Sequence, residues 1–209
     1  MKNSTANLAI AGAAFIALGT PEAARAVTID FDSLAAPDSD FTLVGRVYRE
    51  DGYIVRSGSQ RLTAVNPIAP TYNGSPSLFN NRANAITTLT RNRGESFKLE
   101  SIDLDWINSA AFTSDVPVTF NGTKSNDSVV SRTFNLDLNQ GLQTFRFGGR
   151  FNNLQSVSWE QEPDFHQFDN IVASEVPEPL TIFGSLAALG MGMALKREYS
   201  RKQQSTVSE

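Results

Sequence analysis

The side chains of this chain that could do chemistry are carboxylates, one imidazole, amides and aromatic hydroxyls; there is no cysteine. Glu160, Glu162 and Asp164 form the densest acidic run. On a strand, Glu160 and Glu162 face the same side about 7 Å apart, inside the window of about 5 to 9.5 Å that paired glycosidase carboxylates use. Polysaccharide hydrolysis is therefore the alternative reading. No motif separates a proton donor from a base, and two acids at a strand end are commonly plain surface. His166 is the sole histidine, which excludes a multi-histidine metal site. No Gly-x-Ser-x-Gly elbow supplies a nucleophile for a triad, and the expected role of His166 is a hydrogen bond at the start of the last strand.

Asp30, Asp32 and Asp169 are the candidate calcium ligands, because calcium takes hard oxygen donors. The proposal needs the first and last strands to lie side by side, as they do in many jelly-roll modules. An aspartate at a strand edge or turn serves equally well as a solvated or capping group, and both readings stay open. Sugar binding calls for aromatic platforms beside planar hydrogen-bonding groups. Tyr48, Tyr53 and Tyr72 are the candidates, with donors from the Arg56 to Asn84 region and from Arg150-Phe151-Asn152-Asn153. Trp106 alternates with Ile102 and Leu104, and Trp159 with Val157, so both tryptophans are expected in the core.

Charge and composition remove other classes. Between Val27 and Glu175 there are 18 acids against 12 Lys and Arg, a net charge of −6, which excludes the basic footprint a nucleic-acid partner requires. Without cysteine, disulfides, thiol nucleophiles and thiolate metal sites are excluded, and the core must hold by packing. The glycines form neither nucleotide-binding pattern.

The elements that must position these residues have a hydrophobic period of two. Val118 and Phe120, then Phe134, Leu136 and Leu138, then Phe145 and Phe147, then Val157 and Trp159 alternate with polar neighbours. Asn121-Gly122, Asn126-Asp127, Asn139-Gln140-Gly141, Gly148-Gly149 and Asn152-Asn153 are the expected turns between them. Ile29 and Phe31 open a strand, and Phe41 to Tyr53 supplies another. Asn66 to Asn84, rich in Pro, Asn and Ser, is expected to be a long surface loop. The alternation of Phe97, Leu99, Ile102, Leu104 and Trp106 slips by one residue, which places a bulge or tight turn near Glu100 and Ser101. The fold class that follows is all-β, an antiparallel two-sheet jelly-roll-like sandwich spanning residues 27–175 as one domain.

Both ends read as targeting segments. Lys2 precedes an uncharged run from Leu8 to Leu18, followed by Gly19, Pro21 and Ala24-Arg25-Ala26. That is the layout of a secretory signal peptide over residues 1–26, with cleavage expected after Ala26. Val176-Pro177-Glu178-Pro179 precedes an uncharged stretch from Leu180 to Leu195, then Lys196, Arg197, Arg201 and Lys202. Sixteen residues at about 1.5 Å each reach about 24 Å, slightly short of a hydrocarbon core, so the span suits a temporary anchor. The basic residues are expected on the cytoplasmic side and the body outside.

This tail, residues 176–209, resembles the PEP-CTERM sorting signal: a Pro-Glu-Pro triplet, a Gly- and Ala-rich transmembrane helix and a basic end. It departs from that pattern where Glu198 interrupts the basic cluster and where the tail runs on. The resemblance implies the secretion machinery and an exosortase-type membrane protease as partners, often in bacteria that make exopolysaccharide. A looser likeness lies in the body. Thr28-Ile29-Asp30-Phe31-Asp32-Ser33-Leu34 and Phe168-Asp169-Asn170-Ile171-Val172 resemble the boundaries of galactose-binding-like jelly rolls found in such proteins. The resemblance implies an exported, non-catalytic cell-surface or matrix protein, membrane-anchored at first, whose sandwich binds glycan, a second copy of itself or another envelope component.

Overall fold

The computed structural model describes residues 25–176, apart from Gln60, 108–114, Leu138, Gln140 and Asp164. The expected signal segment up to Ala24, the Pro177-Glu178-Pro179 triplet and the apolar stretch Leu180 to Leu195 lie outside the described residues. Among the described residues no helix is long and apolar enough to cross a membrane. The described residues belong to one compact unit.

The described strands are β1 (Ala26–Ile29), β2 (Phe41–Gly45), β3 (Val47–Glu50), β4 (Tyr53–Ser57), β5 (Leu62–Val65), β6 (Ser77–Asn80), β7 (Ile86–Arg91), β8 (Phe97–Trp106), β9 (Val116–Lys124), β10 (Val129–Leu136), β11 (Gln143–Arg146), β12 (Leu154–Glu160) and β13 (His166–Glu175). The only helical elements among them are 3-10 turns at Asp32–Leu34 and Asn92–Gly94. Every strand pairing is antiparallel. One layer runs β2-β5-β6-β13-β8, with β1 on β13 and β11 on β8; the other runs β3-β4-β7-β12, with β9 on β12 and β10 on β9.

The all-β expectation holds, but the two layers are not separate sheets. Leu154 of β12 pairs with Phe97 of β8 and joins them into one hydrogen-bonded path. The two ends of that path, β2 and β3, follow each other in the chain through Arg46, so the sheet nearly closes on itself.

Alternation explains the second layer. In β9, Val116, Val118 and Phe120 are buried while Pro117, Thr119 and Asn121 are exposed. The inward side chains meet those of the first layer in a run of rings. Phe168 of β13 lies 5.0 Å from Trp159 of β12, Trp159 lies 5.3 Å from Phe120, and Phe120 lies 5.1 Å from Phe147. Tyr53 and Phe97 bridge the layers at 5.6 Å. Both tryptophans are core residues, as their alternation predicts. Burying each large aromatic side chain contributes about 1.5–3 kcal/mol.

Two local expectations change and a third holds. Asn121-Gly122 is not a turn: both residues lie within β9, opposite Ser131 and Val130 of β10. A Cβ on Gly122 would sit 2.9 Å from Leu154 Cδ2, so this glycine serves close packing. The chain reverses instead at Ser125 to Ser128, where Asp127 has φ 62 and its N–H bonds to the Lys124 carbonyl. The Asn66 to Asn84 segment is not wholly loop, because it contains β6, whose four residues are all buried. A strand covered on both faces loses the period-two signal. The slip at Glu100 and Ser101 is real: between Leu99 and Ser101, β8 carries one residue more than β13 does between Ala173 and Val172.

Candidate functional site

The outer face of the first layer is not open to water. Leu78 of β6, Phe168 of β13 and Leu104 of β8 point inward, so Ser77, Gln167, Asp169, Asp103 and Asp105 point outward. Residues 66–76 lie across them. Asn73 donates to Asp105, Ser75 donates to Asp169, and Gln167 donates to the Thr71 carbonyl at 2.9 Å. Gln167 also reaches the Asp105 carboxylate at 3.2 Å and the Trp106 carbonyl at 2.9 Å. Asp105, Gln167 and Asp169 are consequently fully buried, although they sit on the side of the sheet away from the core. None of the hydrogen bonds to Asp169 comes from a cation; its partners are Ser75 and Asn170. Burial pushes its carboxyl up to about 7, and the charges of Asp103 and Asp30 push the same way.

Beside this polar strip lies a second hydrophobic cluster, separate from the core. Val65, Ala69 and Phe79 are its buried centre, with Tyr72, Ile107 and Phe165 packed partly exposed around them. Phe41 on the edge strand β2 stands 5.8 Å from Phe79, and Phe165 stands 6.3 Å from it on another side. Phe41, Leu43 and Ile68 are 39%, 68% and 59% exposed, so apolar surface reaches solvent here. This is the one aromatic cluster outside the core among the described residues.

Of the three candidate tyrosines, only Tyr72 belongs to this surface. Tyr48 and Tyr53 occupy inward positions on β3 and β4 and are 8% and 2% exposed. Tyr48 packs 5.2 Å from Phe31 and shares a 2.8 Å hydrogen bond with Ser33. Burial pushes both phenols up to about 12. Neither offers a ring face to a sugar, because each fills the register position that its strand turns toward the core.

The expected pairing of first and last strands is present, with Ile29 opposite Ile171. It brings Asp30 and Asp169 to one end of that pair, near enough for their charges to interact. Asp32 is exposed in the following 3-10 turn, and its N–H donates to Asp30 at 3.0 Å. Asp30 is thus also a turn cap, and the carboxylate of Asp169 is engaged by Ser75 and Asn170. Among the described residues, no group of three or more His, Asp or Glu side chains is arranged to hold a metal ion.

Glu160 and Glu162 do not share a strand. β12 ends at Glu160, and Gln161 turns into the core, accepting from the Asn80 N–H at 3.1 Å. His166 opens β13 fully buried, with Nδ1 3.3 Å from Gln161 Nε2. Burial holds the imidazole down at about 4, and its Nε2 has no partner. It is a neutral interior group, consistent with a structural hydrogen bond at the strand's start.

Among the described residues, no segment is hydrogen-bonded across the outer face of the second layer as residues 66–76 are across the first. In register across β4, β7 and β12 lie Ile54, Thr90 and Ser156, and then Arg56, Thr88 and Ser158. A shallow groove of about 540 Å³ crosses this face, bordered by Arg56, Arg91, Arg93 and Gln155.

No family model and no curated protein matches the chain. Among solved structures, it is similar to family 29 carbohydrate binding modules. A ligand-recognition mutant of one is 16% identical with a TM-score of 0.38, over 66% of this chain and 96% of that one. A second family 29 module is 15% identical with a TM-score of 0.39, over 68% and 95%. The enzymatically active domain of tailspike protein 4 of bacteriophage CBA120 is 12% identical with a TM-score of 0.31, over 66% of this chain and 20% of that one.

The sequence did not point to the polar strip, to Phe41, Phe79 and Phe165, or to the arginine-bordered groove. Asp103 and Asp105 alternate with Ile102 and Leu104 as any solvent-facing acids do, and only the covering segment makes them buried. Phe79 lies in β6, inside the Asn66 to Asn84 segment expected as loop.

Proposed function

We propose that this chain is an exported, non-catalytic cell-surface or matrix protein whose body binds glycan through the aromatic cluster on the outer face of its first layer. The supporting observation is that cluster itself. Phe41, Tyr72 and Phe165 are partly exposed rings packed around the Phe79 cluster, outside the core. Such rings stack on the apolar face of a sugar. A domain has no packing need to leave both Phe41 and Leu43, on one side of the edge strand β2, exposed at its surface.

Export and sorting belong to the same proposal and rest on the signal-like residues 1–26 and the PEP-CTERM-like residues 176–209. In this reading the secretory machinery delivers the body, the C-terminal segment anchors it with the body outside, and an exosortase-type protease processes the tail. Exopolysaccharide is the natural ligand class in that location. Because β12 ends at Glu160, the shared strand on which the hydrolysis reading rested is absent, which favours binding.

A glycan-array screen of the full-length chain in neutral detergent, with and without calcium, tests the binding claim. Selective retention of one glycan class is the expected result, and no retention contradicts it. Structural calcium at Asp30, Asp32 and Asp169 predicts a calcium-dependent rise in Tm. Fractionation of cells expressing the chain and a Pro177→Ala, Glu178→Ala, Pro179→Ala variant tests sorting. The variant is expected to stay in the membrane at full length, and identical processing of both forms contradicts the sorting claim.

A further inference from the structure

We propose that the groove on the opposite face of the body is a second site, which binds a carboxylate-bearing polysaccharide through Arg56 and Arg93. The choice of a saccharide over other polyanions rests on the glycan-binding reading above; the anion preference stands on the groove itself.

Three guanidinium groups border one groove in a body whose net charge is −6. Their surroundings differ. Arg91 pairs with Glu95 at 2.9 Å and also with Glu175, and is thereby neutralised and held. Arg56 and Arg93 are exposed, and neither side chain has a hydrogen bond or ion pair among the described residues. Across the strands, Arg56 faces Val47 and Thr88, with Ser158 beyond, so no carboxylate stands in its row. Arg93 sits in the Asn92–Gly94 turn at φ 60, a conformation uncommon for a residue with a side chain. That turn is fastened to the edge of the layer by the Asn92 N–H to the Gly52 carbonyl at 2.8 Å. Two free cations are therefore presented on fixed backbone at either side of a strip of hydroxyls.

Guanidinium groups bind carboxylates in a planar, two-bonded geometry. Thr90, Ser156 and Gln155, on strands about 4.8 Å apart, offer donors and acceptors suited to sugar hydroxyls. A uronic acid polymer supplies both partners, a carboxylate on each residue and hydroxyls between them. With the aromatic cluster on the other layer, the two faces would let one molecule hold two chains of a matrix.

The test uses the full-length chain in neutral detergent and three probes: polygalacturonate, its fully methyl-esterified form, and the best neutral glycan from the array. Arg56→Gln with Arg93→Gln is compared with Phe41→Ala with Tyr72→Ala, and thermal melts check that each variant is folded. Polygalacturonate is expected to bind, to lose at least tenfold in affinity in the arginine variant, and to be unaffected by the aromatic one. Its esterified form is expected to bind at least tenfold more weakly. Equal binding of polygalacturonate by wild type and arginine variant overturns the groove assignment. Binding of the neutral glycan alone, lost in the aromatic variant, overturns this inference and leaves the proposed function standing. Failure of every glycan removes both. Arginine-dependent binding of single-stranded DNA as tight as that of polygalacturonate overturns the saccharide assignment.

Discussion

The outward sides of the two layers are built on opposite plans. On β9 and β12 the residues facing away from the core are mostly Thr, Ser, Asn and Gln and lie exposed or half-buried. On β6 and β13 the outward residues are roofed by residues 66–76, so Ser77, Gln167 and Asp169 are as buried as the core. The difference shows how the same strand period yields a tolerant surface in one layer and a polar interior in the other. What decides is the presence of a covering segment, not the strand sequence.

The largest effect should come from the interior the layers share. Phe168→Ala removes a ring that touches Phe31 at 5.8 Å and Trp159 at 5.0 Å, and is expected to cost about 3–5 kcal/mol in urea denaturation. A loss below about 1 kcal/mol would mean that the layers do not meet there. Next, Gln167→Ala is expected to cost about 1–3 kcal/mol, because it leaves Ser77, Asp105 and the Thr71 carbonyl short of a buried partner. The matched change on the uncovered layer, Ser158→Ala, should stay within about 0.5 kcal/mol. Equal costs for the two would erase the contrast between covered and open faces.

A finer distinction lies in pH. The Asp169 carboxyl is raised from 3.8 to about 7, so the folded state holds its proton more tightly. Its contribution is full below about pH 4 and is lost as pH rises through about 7. His166 is lowered from 6.5 to about 4, so its contribution is present above about 6.5 and lost as pH falls through about 4. The two slopes oppose each other between about pH 4 and 6.5. Denaturation of Asp169→Asn across that window should show stability rising with pH, and His166→Gln should show it falling. The same slope in both variants would contradict the assignment of the two groups.

Legibility followed the same division. The second layer was visible because one of its faces meets water: Val118, Phe120, Val157 and Trp159 alternate with polar residues and lie in strands where expected. The first layer was half visible. β8 and its irregularity at Glu100 could be located, but β5 and β6 are buried on both sides, and the Pro- and Asn-rich stretch around them resembled a surface loop. Tyr48 and Tyr53 are not surface residues because the stretch from Phe41 to Tyr53, expected as one strand, folds as β2, β3 and the start of β4. One strand would place the two tyrosines on opposite faces, whereas the reversal after Glu50 turns both toward the core. The role of Gly122 was hidden for a different reason: Asn-Gly signals a turn locally, whereas the packing of Leu154 against its Cα depends on residues thirty positions away.

The most direct test of the central claim is the affinity of the full-length chain for the best array glycan, compared with that of Phe41→Ala and Tyr72→Ala. Loss of at least about 1–2 kcal/mol of binding in each variant, with unchanged melting, is the predicted result. Wild-type affinity in both variants would place the glycan elsewhere and contradict the assignment of the aromatic face.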